Sequence, residues 1–247
     1  MKISIVTASY NNKDTILHTL ETVRSQINCE VEHVVVDGGS TDGTKEILEN
    51  FGGITFISEK DEGIYDALNK GIKLATGDVV GTLGADDFYP NNEVLSKISR
   101  LFADEHTDVV YADKNYVAPE DITKVVRHWT AGPYKHENWL SGWMPPHLTF
   151  YIRRKYFEQY GYYNKSFASA GDYELMLRMM YKHKLNIKYL PELVVTMRTG
   201  GTSTASFKNR MRANKEDRKA WQINGLKPKW YTLYMKPLSK INQFFVK

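Results

Sequence analysis

The chain has very little cysteine: Cys29 alone in 247 residues, which excludes an internal disulfide and fits a reducing compartment. It lacks any apolar run of the roughly 20 residues needed to cross a bilayer. Residues 1–6 enter a strand pattern directly, without the anatomy of a signal peptide. A soluble or peripheral protein in the cytoplasm is therefore expected. Internal repeats and low-complexity segments are missing as well. So are two phosphate-binding signatures, G-x-G-x-x-G and G-x-x-x-x-G-K-[ST], which disfavours a hydride-transfer enzyme and a nucleoside triphosphatase.

What is present is an ordinary globular composition, long enough for one large domain or a domain with a modest appendage. The charge is uneven. From Lys208 onward eleven Lys or Arg face two acids, net +9, whereas the first 207 residues carry −5. An acidic or neutral body with a basic tail points to a polyanionic partner or a membrane surface for the tail.

Strand and helix patterns alternate at short spacing through the first half, which argues a doubly wound parallel sheet. Strands are predicted at 2–7, 31–36, 54–58 and 79–83, with helices at 15–26, from 44, and at 63–75. Ile16, Leu20, Val23 and Ile27 share one helix face and are assigned to the core; Gly77 suits the left-handed turn after a helix. Beyond these, a helix over 92–102, strands at 108–113, 125–129 and 148–152, a loop at 139–146, a short helix over 154–160, a helix over 172–184 and a last strand at 193–197 are expected.

The stretch from Val79 ends abruptly in Asp86 and Asp87. Ligands bind beyond the carboxyl ends of the strands in open α/β sheets, so two acids there form a site candidate. Capping of a helix beginning near Asn91 is the structural alternative, although two acids exceed what one cap needs. Thr7-Ala8-Ser9-Tyr10 and Asp37-Gly38-Gly39 end two further strands at the same edge. Two carboxylates about 4 Å apart repel by about 4 kcal/mol at an effective dielectric near 20, so acids beside a diphosphate need a hard cation such as Mn²⁺ or Mg²⁺.

Taken together, Ile5-Val6-Thr7-Ala8-Ser9-Tyr10-Asn11, Val35-Val36-Asp37-Gly38-Gly39-Ser40-Thr41-Asp42-Gly43-Thr44, Asp61-Glu62-Gly63-Ile64-Tyr65-Asp66-Ala67-Leu68-Asn69-Lys70-Gly71 and Leu83-Gly84-Ala85-Asp86-Asp87 resemble a family 2 glycosyltransferase of the GT-A fold, of the bacterial surface-polysaccharide type. The resemblance is close over about the first hundred residues and looser through Arg198-Thr199-Gly200-Gly201-Thr202-Ser203. It implies an α/β, Rossmann-like, mostly parallel central sheet with helices on both faces: a GT-A domain at 1–205, divided into a nucleotide-sugar half (1–104) and an acceptor half (105–205), with a basic helical region at 206–247.

The resemblance also implies roles. Thr7, Ser9 or Tyr10 and Asp37 hold the nucleotide base, Asp37 accepting from a uracil ring N–H; Asp61, Gly63 and Asp66 close over base and ribose. Asp86 lies toward the ribose and sugar and Asp87 holds the metal, Mn²⁺ or Mg²⁺. The family often has an acid or amide where Gly84 stands, so metal coordination rests mainly on Asp87. Asp172 matches the catalytic base of an inverting transfer, with Glu174 its rival; the family commonly has Glu or Ser where Gly171 precedes it. Arg198 is expected to neutralise the diphosphate, with Thr202 and Ser203 donating hydroxyls. Trp139, Trp143 and His147 are acceptor-side candidates, and His147 is also weighed as a metal ligand or a structural residue.

From Trp230 the residues Leu233, Tyr234, Leu238, Ile241, Phe244 and Phe245 form a helical stripe flanked by lysines and interrupted by Pro237. It suits either a helix lying on an anionic membrane or one packed on the body. The expected activity is metal-dependent transfer from a nucleotide sugar, a UDP-sugar by preference, to a glycan acceptor linked to polyprenyl diphosphate, at the cytoplasmic face of the inner membrane. The rivals are a sugar-phosphate nucleotidyltransferase of similar fold and a non-catalytic protein whose basic tail binds nucleic acid or another polyanion; no nucleic-acid partner is expected under the main reading.

Overall fold

The computed structural model describes residues 1–200, 207–239 and 243. In chain order the elements are β1 (Lys2–Ser9), α1 (Ile16–Arg24), β2 (Glu30–Asp37), α2 (Thr44–Phe51), β3 (Thr55–Ser58), α3 (Ile64–Leu74), β4 (Val79–Thr82), α4 (Val94–Phe102), β5 (Val109–Ala118), β6 (Asp121–Trp129), β7 (Tyr151–Arg153), α5 (Lys155–Tyr160), α6 (Gly171–Met176), β8 (Ile187–Arg198), α7 (Phe207–Ile223) and α8 (Thr232–Leu238). They build one sheet in the order β3-β2-β1-β4-β7-β5-β6, with β8 pairing β5. The strands β3, β2, β1 and β4 are all parallel. β7 and the β5/β6 hairpin run antiparallel, while β8 returns parallel to β5.

Alternation along each strand sends side chains to opposite faces. On one face Val6, Val34, Val109 and Tyr111 pack with residues of α3, α5, α6, α7 and α8; on the other Ile3, Ile5, Val79, Val110 and Ala112 pack largely with α4. Ile16, Leu20, Val35 and Leu48 join α1 and α2 to the sheet. The expected α/β architecture with helices on both faces is the observed one, with a more antiparallel second half.

Several local expectations change. Ile27 is 41% exposed, because α1 ends at Arg24 and the helical period stops with it. α3 ends without a left-handed glycine, since Ala75 already has extended geometry. Gly77 is needed for a different reason: a Cβ there would lie 2.6 Å from Ser4 Oγ and 2.8 Å from the Lys2 carbonyl oxygen. The helix expected over 172–184 changes pitch at Leu177 and continues as a π-helix through Lys182. Only Tyr151–Arg153 of the segment near 148–152 is strand; a 3-10 turn, His147–Thr149, precedes it and is pinned by two hydrogen bonds between Thr149 Oγ1 and the Ala112 backbone. The loop expected at 139–146 begins inside a 3-10 helix, His136–Ser141, that buries Trp139 completely.

α7 and α8 pack on the body. Trp221 is fully buried and donates to Tyr173 Oη at 2.8 Å. Lys236 pairs with Asp217 at 2.6 Å and sits 3.6 Å over the Tyr173 ring. Thr232 Oγ1 donates to the Leu140 carbonyl at 2.6 Å, and Leu233 is buried. Leu233 and Lys236 therefore face the protein, whereas Trp230, Tyr234 and Leu238 are 83%, 62% and 52% exposed. Pro237 lies within the last turn of α8, which ends one residue later. Ile241, Phe244 and Phe245 lie outside the described residues. No helix among the described residues is long and apolar enough to cross a membrane.

Candidate functional site

The site is assembled at the carboxyl ends of β1, β2, β4 and β8. After β1 the backbone turns sharply through Asn11, whose φ is 53°. Asn11 ties this loop to the one after β2: its N–H donates to Ser40 Oγ (2.8 Å) and its Oδ1 accepts from the Thr41 N–H (3.0 Å). Thr7 is fully buried with its hydroxyl 3.0 Å from His33 Nε2. Burial pushes His33 down to about 3. Ser9 is also buried, 3.3 Å from Asn12 Oδ1. Of the three base-side candidates in this loop, Tyr10 presents an open ring, 63% exposed.

Asp37 is engaged mainly within its own loop. It is fully buried; one oxygen accepts from the Gly39 and Ser40 N–H groups (3.2 and 3.0 Å) and from Ser58 Oγ (2.7 Å), and the other from Ser40 Oγ. Its work is to shape the loop. The acid beside the open ring is Asp61. A Cβ placed on Gly38 would meet Asp61 Oδ2 at 2.6 Å and Tyr10 Cδ2 at 3.4 Å, so Asp61 fills the space that the missing side chain leaves next to Tyr10. Gly63, with φ 110°, closes this turn by donating its N–H to Asp61 Oδ1 at 2.8 Å. Asp66 is held by Lys165 at 3.0 Å and Lys70 at 3.3 Å, and hydrogen bonding to Lys165 foremost lowers its pKa despite some desolvation. It anchors the loop over which Asp61 stands.

Asp86 and Asp87 follow β4. α4 begins after Glu93 with no side-chain cap, so neither acid caps it. Asp87 is 2% exposed, and burial, reinforced by the Asp86 charge, pushes its carboxyl up to about 7. Its Oδ1 accepts from the Arg198 N–H at 3.3 Å. Gly84 carries no side chain because a Cβ there would lie 2.3 Å from Asp87 Oδ2 and 3.1 Å from Asp86 Oδ1. The family's extra acid is thus replaced by room for these two. At the end of β8, Arg198 donates to the Asp86 carbonyl and stands 3.0 Å from His18 Nδ1, over the Phe88 ring. Arg198 and Asp86, with Asn11, Asn12 and Thr15, line an open cleft of about 400 Å³. Thr202 and Ser203 lie outside the described residues.

On the acceptor side Asp172 is half-buried in the first turn of α6. Gly171 precedes it because Tyr65 occupies the space: a Cβ at 171 would lie 2.8 Å from the Tyr65 ring, and the Gly171 N–H donates to Tyr65 Oη at 2.9 Å. Tyr65 stacks on Tyr163, and Tyr163 Oη lies 2.6 Å from His147 Nε2. Burial lowers the His147 pKa against the pull of Asp172. His147 is half-buried, and with Nε2 engaged by Tyr163 it does not present that nitrogen to a metal in this arrangement. Trp143 donates Nε1–H to the Ala131 carbonyl (2.9 Å) and packs among Tyr111, Tyr134 and Trp139. It belongs to the core wall, not to an open stacking platform. Glu174, the rival base, is consumed in a buried two-pronged pair with Arg178, at 2.8 and 3.0 Å.

A family model for glycosyl transferase family 2 matches residues 4–183. The chain belongs to that family. This glycosyltransferase is 28% identical over 199 residues to a PGL/p-HBAD biosynthesis glycosyltransferase of Mycobacterium tuberculosis, covering 78% of this chain and 75% of that one. It is 28% identical over 196 residues to chondroitin synthase of Escherichia coli, covering 76% of this chain but 28% of the relative. Two solved structures share its fold. S. aureus TarS 1-349 in complex with UDP-GlcNAc has a TM-score of 0.69 at 20% identity, covering 95% of this chain and 69% of that one. Mannosyltransferase PcManGT from Pyrobaculum calidifontis, in complex with GDP-Man and Mn²⁺, has a TM-score of 0.66 at 19% identity, covering 97% and 70%. In a further TarS structure the chain spans 42% of the solved protein's length.

Four residues beside the candidate site are given no role by the sequence. His18 meets Arg198 from 180 positions away. Tyr65 and Gly171 interlock across 106. Lys114 is buried on β5, against Met197 Sδ at 3.3 Å and the rings of Tyr116 and Trp129 at 4.5 and 5.3 Å. Its charge bears on both Asp87 and His147. A lone lysine in a strand gives no reason to be singled out from the sequence.

Proposed function

We propose that this family 2 glycosyltransferase transfers a sugar from a nucleotide sugar, UDP-linked by preference, to a hydroxyl of a glycan acceptor with inversion, in the assembly of a lipid-linked surface polysaccharide. The observation that carries the reading is the open cleft lined by Asp86 and Arg198 after β4, with the buried Asp87 next to Asp86 in sequence and accepting from the Arg198 N–H. Such an acid suits a cation. The described residues hold no group of three metal-ligating side chains, so Asp87, beside Asp86, would share a Mn²⁺ or Mg²⁺ ion with the donor's own diphosphate. When bound, that ion supplies charge neutralisation for the departing diphosphate.

The chain's own groups divide the rest of the task. Tyr10 stacks on the base and Asp61, rather than Asp37, accepts from its ring N–H. Asp86 faces the ribose, and Arg198 adds positive charge beside the diphosphate. Asp172 takes the proton of the acceptor hydroxyl as that oxygen attacks the anomeric carbon from the face opposite the leaving group, which gives inversion. At the membrane, Trp230, Tyr234 and Leu238 recur every fourth residue and stand exposed beside Lys227 and Lys229, a pattern suited to the interfacial zone of an anionic bilayer.

The test is to incubate the protein with UDP-, GDP- and CMP-sugars and Mn²⁺ and to follow release of the nucleotide. Release from one class by the native protein, lost in Asp87→Ala with the melting transition retained, is the expected result. Equal turnover by Asp87→Ala would place the donor site elsewhere.

A further inference from the structure

The segment ahead of Asp172 is irregular: α6 runs on into the π-helix through Lys182, but the residues just before α6 form no helix or strand. Backbone N–H groups outside regular structure need partners of their own. Here successive N–H groups converge on one carboxylate from outside the family-matched region, that of Glu216 on α7. One oxygen accepts from the Ala168 N–H at 3.0 Å. The other accepts from the Ser169 N–H (2.8 Å), Ser169 Oγ (3.0 Å) and the Ala170 N–H (2.9 Å). The next N–H, of Gly171, goes to Tyr65 Oη, so the backbone leading into Asp172 is held from two sides.

α7 is itself fixed to both flanks of this segment. Before it, Lys219 Nζ donates to the carbonyl and hydroxyl of Ser166, each at 2.9 Å. Behind it, Trp221 donates to Tyr173 Oη at 2.8 Å, and Asn224, just past the end of α7, donates from Nδ2 to Glu174 Oε1 at 3.0 Å. The carboxylate of Glu216 is thus placed by a clamped helix. Charge-assisted bonds from successive backbone N–H groups define a position more sharply than neutral contacts do. The donors hold the Glu216 pKa below its usual value even though its burial acts the other way.

We infer that Glu216 is a positioning residue for transfer: it fixes the backbone ahead of Asp172 so that the Asp172 carboxylate meets the acceptor hydroxyl. The inference rests on Asp172 being the base. Glu216 lies between charged neighbours Lys215 and Asp217 in a basic segment, which explains why its sequence context marks it as a solvated helix residue.

The experiment compares Glu216→Gln, Glu216→Asp, Ser169→Ala and Asp172→Asn in the full chain, with the nucleotide sugar that supports nucleotide release. In Glu216→Gln the amide oxygen can serve only one of the two sets of donors, so the N–H₂ faces at least the Ala168 N–H and the segment shifts. A displacement of about 1 Å costs on the order of a hundredfold, so kcat should fall roughly 10- to 100-fold with donor KM and UDP or GDP binding unchanged. Hydrogen exchange at 166–171 should rise, and Glu216→Asp should recover part of the rate. If Glu216→Gln does not fold, Ser169→Ala removes one bond and should lower kcat on the order of fivefold with donor KM unchanged. Wild-type kcat in a folded Glu216→Gln, or in Ser169→Ala where the former is unfolded, would overturn the inference provided Asp172→Asn is inactive. An active Asp172→Asn would instead overturn the assignment of the base.

Discussion

Asp172 and Glu174 stand two residues apart, and the structure gives them opposite destinies. Two helical steps turn a side chain by about 200°, so the two carboxylates leave α6 on opposite sides. Glu174 is 2% exposed and gripped by Arg178, whose guanidinium also donates to the carbonyls of Gly161 and Tyr162, each at 2.7 Å. Glu174→Gln leaves the buried Arg178 cation without its counter-charge, which should cost about 3–5 kcal/mol. For a chain of this size each kcal/mol lowers the melting temperature by about 2–4 °C, so a fall of roughly 6–20 °C is expected. Asp172, half-buried and accepting from its neighbour's N–H at 2.8 Å, carries no such pair. Asp172→Asn should leave stability within about 0.5 kcal/mol and reduce transfer about 10²- to 10⁴-fold. Thermal melts by circular dichroism and a nucleotide-release assay read both quantities. A native-like melt with abolished transfer in Glu174→Gln, together with an active Asp172→Asn, would show the roles to be reversed.

Three other outcomes follow from the geometry. Gly84→Ala puts a methyl 2.3 Å from Asp87 Oδ2, so the carboxylate must swing away; Mn²⁺-dependent UDP binding, read by calorimetry, should weaken about tenfold or more at a stability cost of about 1–3 kcal/mol, and unchanged binding would refute the crowding argument. In the metal-free protein Asp87 is raised to about 7, so a cation must displace a proton below that pH; Mn²⁺ affinity should climb roughly tenfold per pH unit up to about 7 and then level off. Because the folded state holds this proton more tightly than the unfolded chain, the same group contributes stability that is full below about 4 and lost as pH rises toward 7; a flat metal profile, or an identical pH-stability curve for Asp87→Asn, would contradict this. Exchanging both Trp230 and Tyr234 for Ser should abolish flotation with anionic vesicles while leaving nucleotide release in solution intact, and undiminished flotation would remove α8 from the membrane contact.

The sequence by itself determined the parallel strands β1 to β4 and the family. Apolar runs of strand length, helices between them, and loops of Asp, Gly and Ser at the strand ends are local properties, and each strand end with its motif appears where the period places it. Asp86 and Asp87 at the end of β4 were legible for that reason, as was Asp172 in the first turn of α6. The division of α8 between buried Leu233 and exposed Tyr234 was not, because a stripe records which residues are apolar and not which neighbour covers them. Nor could the sequence assign the acid beside Tyr10. The turn that buries Asp37, and the glycine that lets Asp61 take the space, exist only when the loops after β1, β2 and β3 meet. The same holds for Gly84 and Gly171, departures from the family motif whose missing side chains leave the space that the Asp87 carboxylate and the Tyr65 ring occupy. Spacing along a chain specifies secondary structure and strand ends; whether a carboxylate is free, paired or spent on shaping a loop is decided by contacts between residues tens to more than a hundred positions apart, and those are fixed only when the chain has folded.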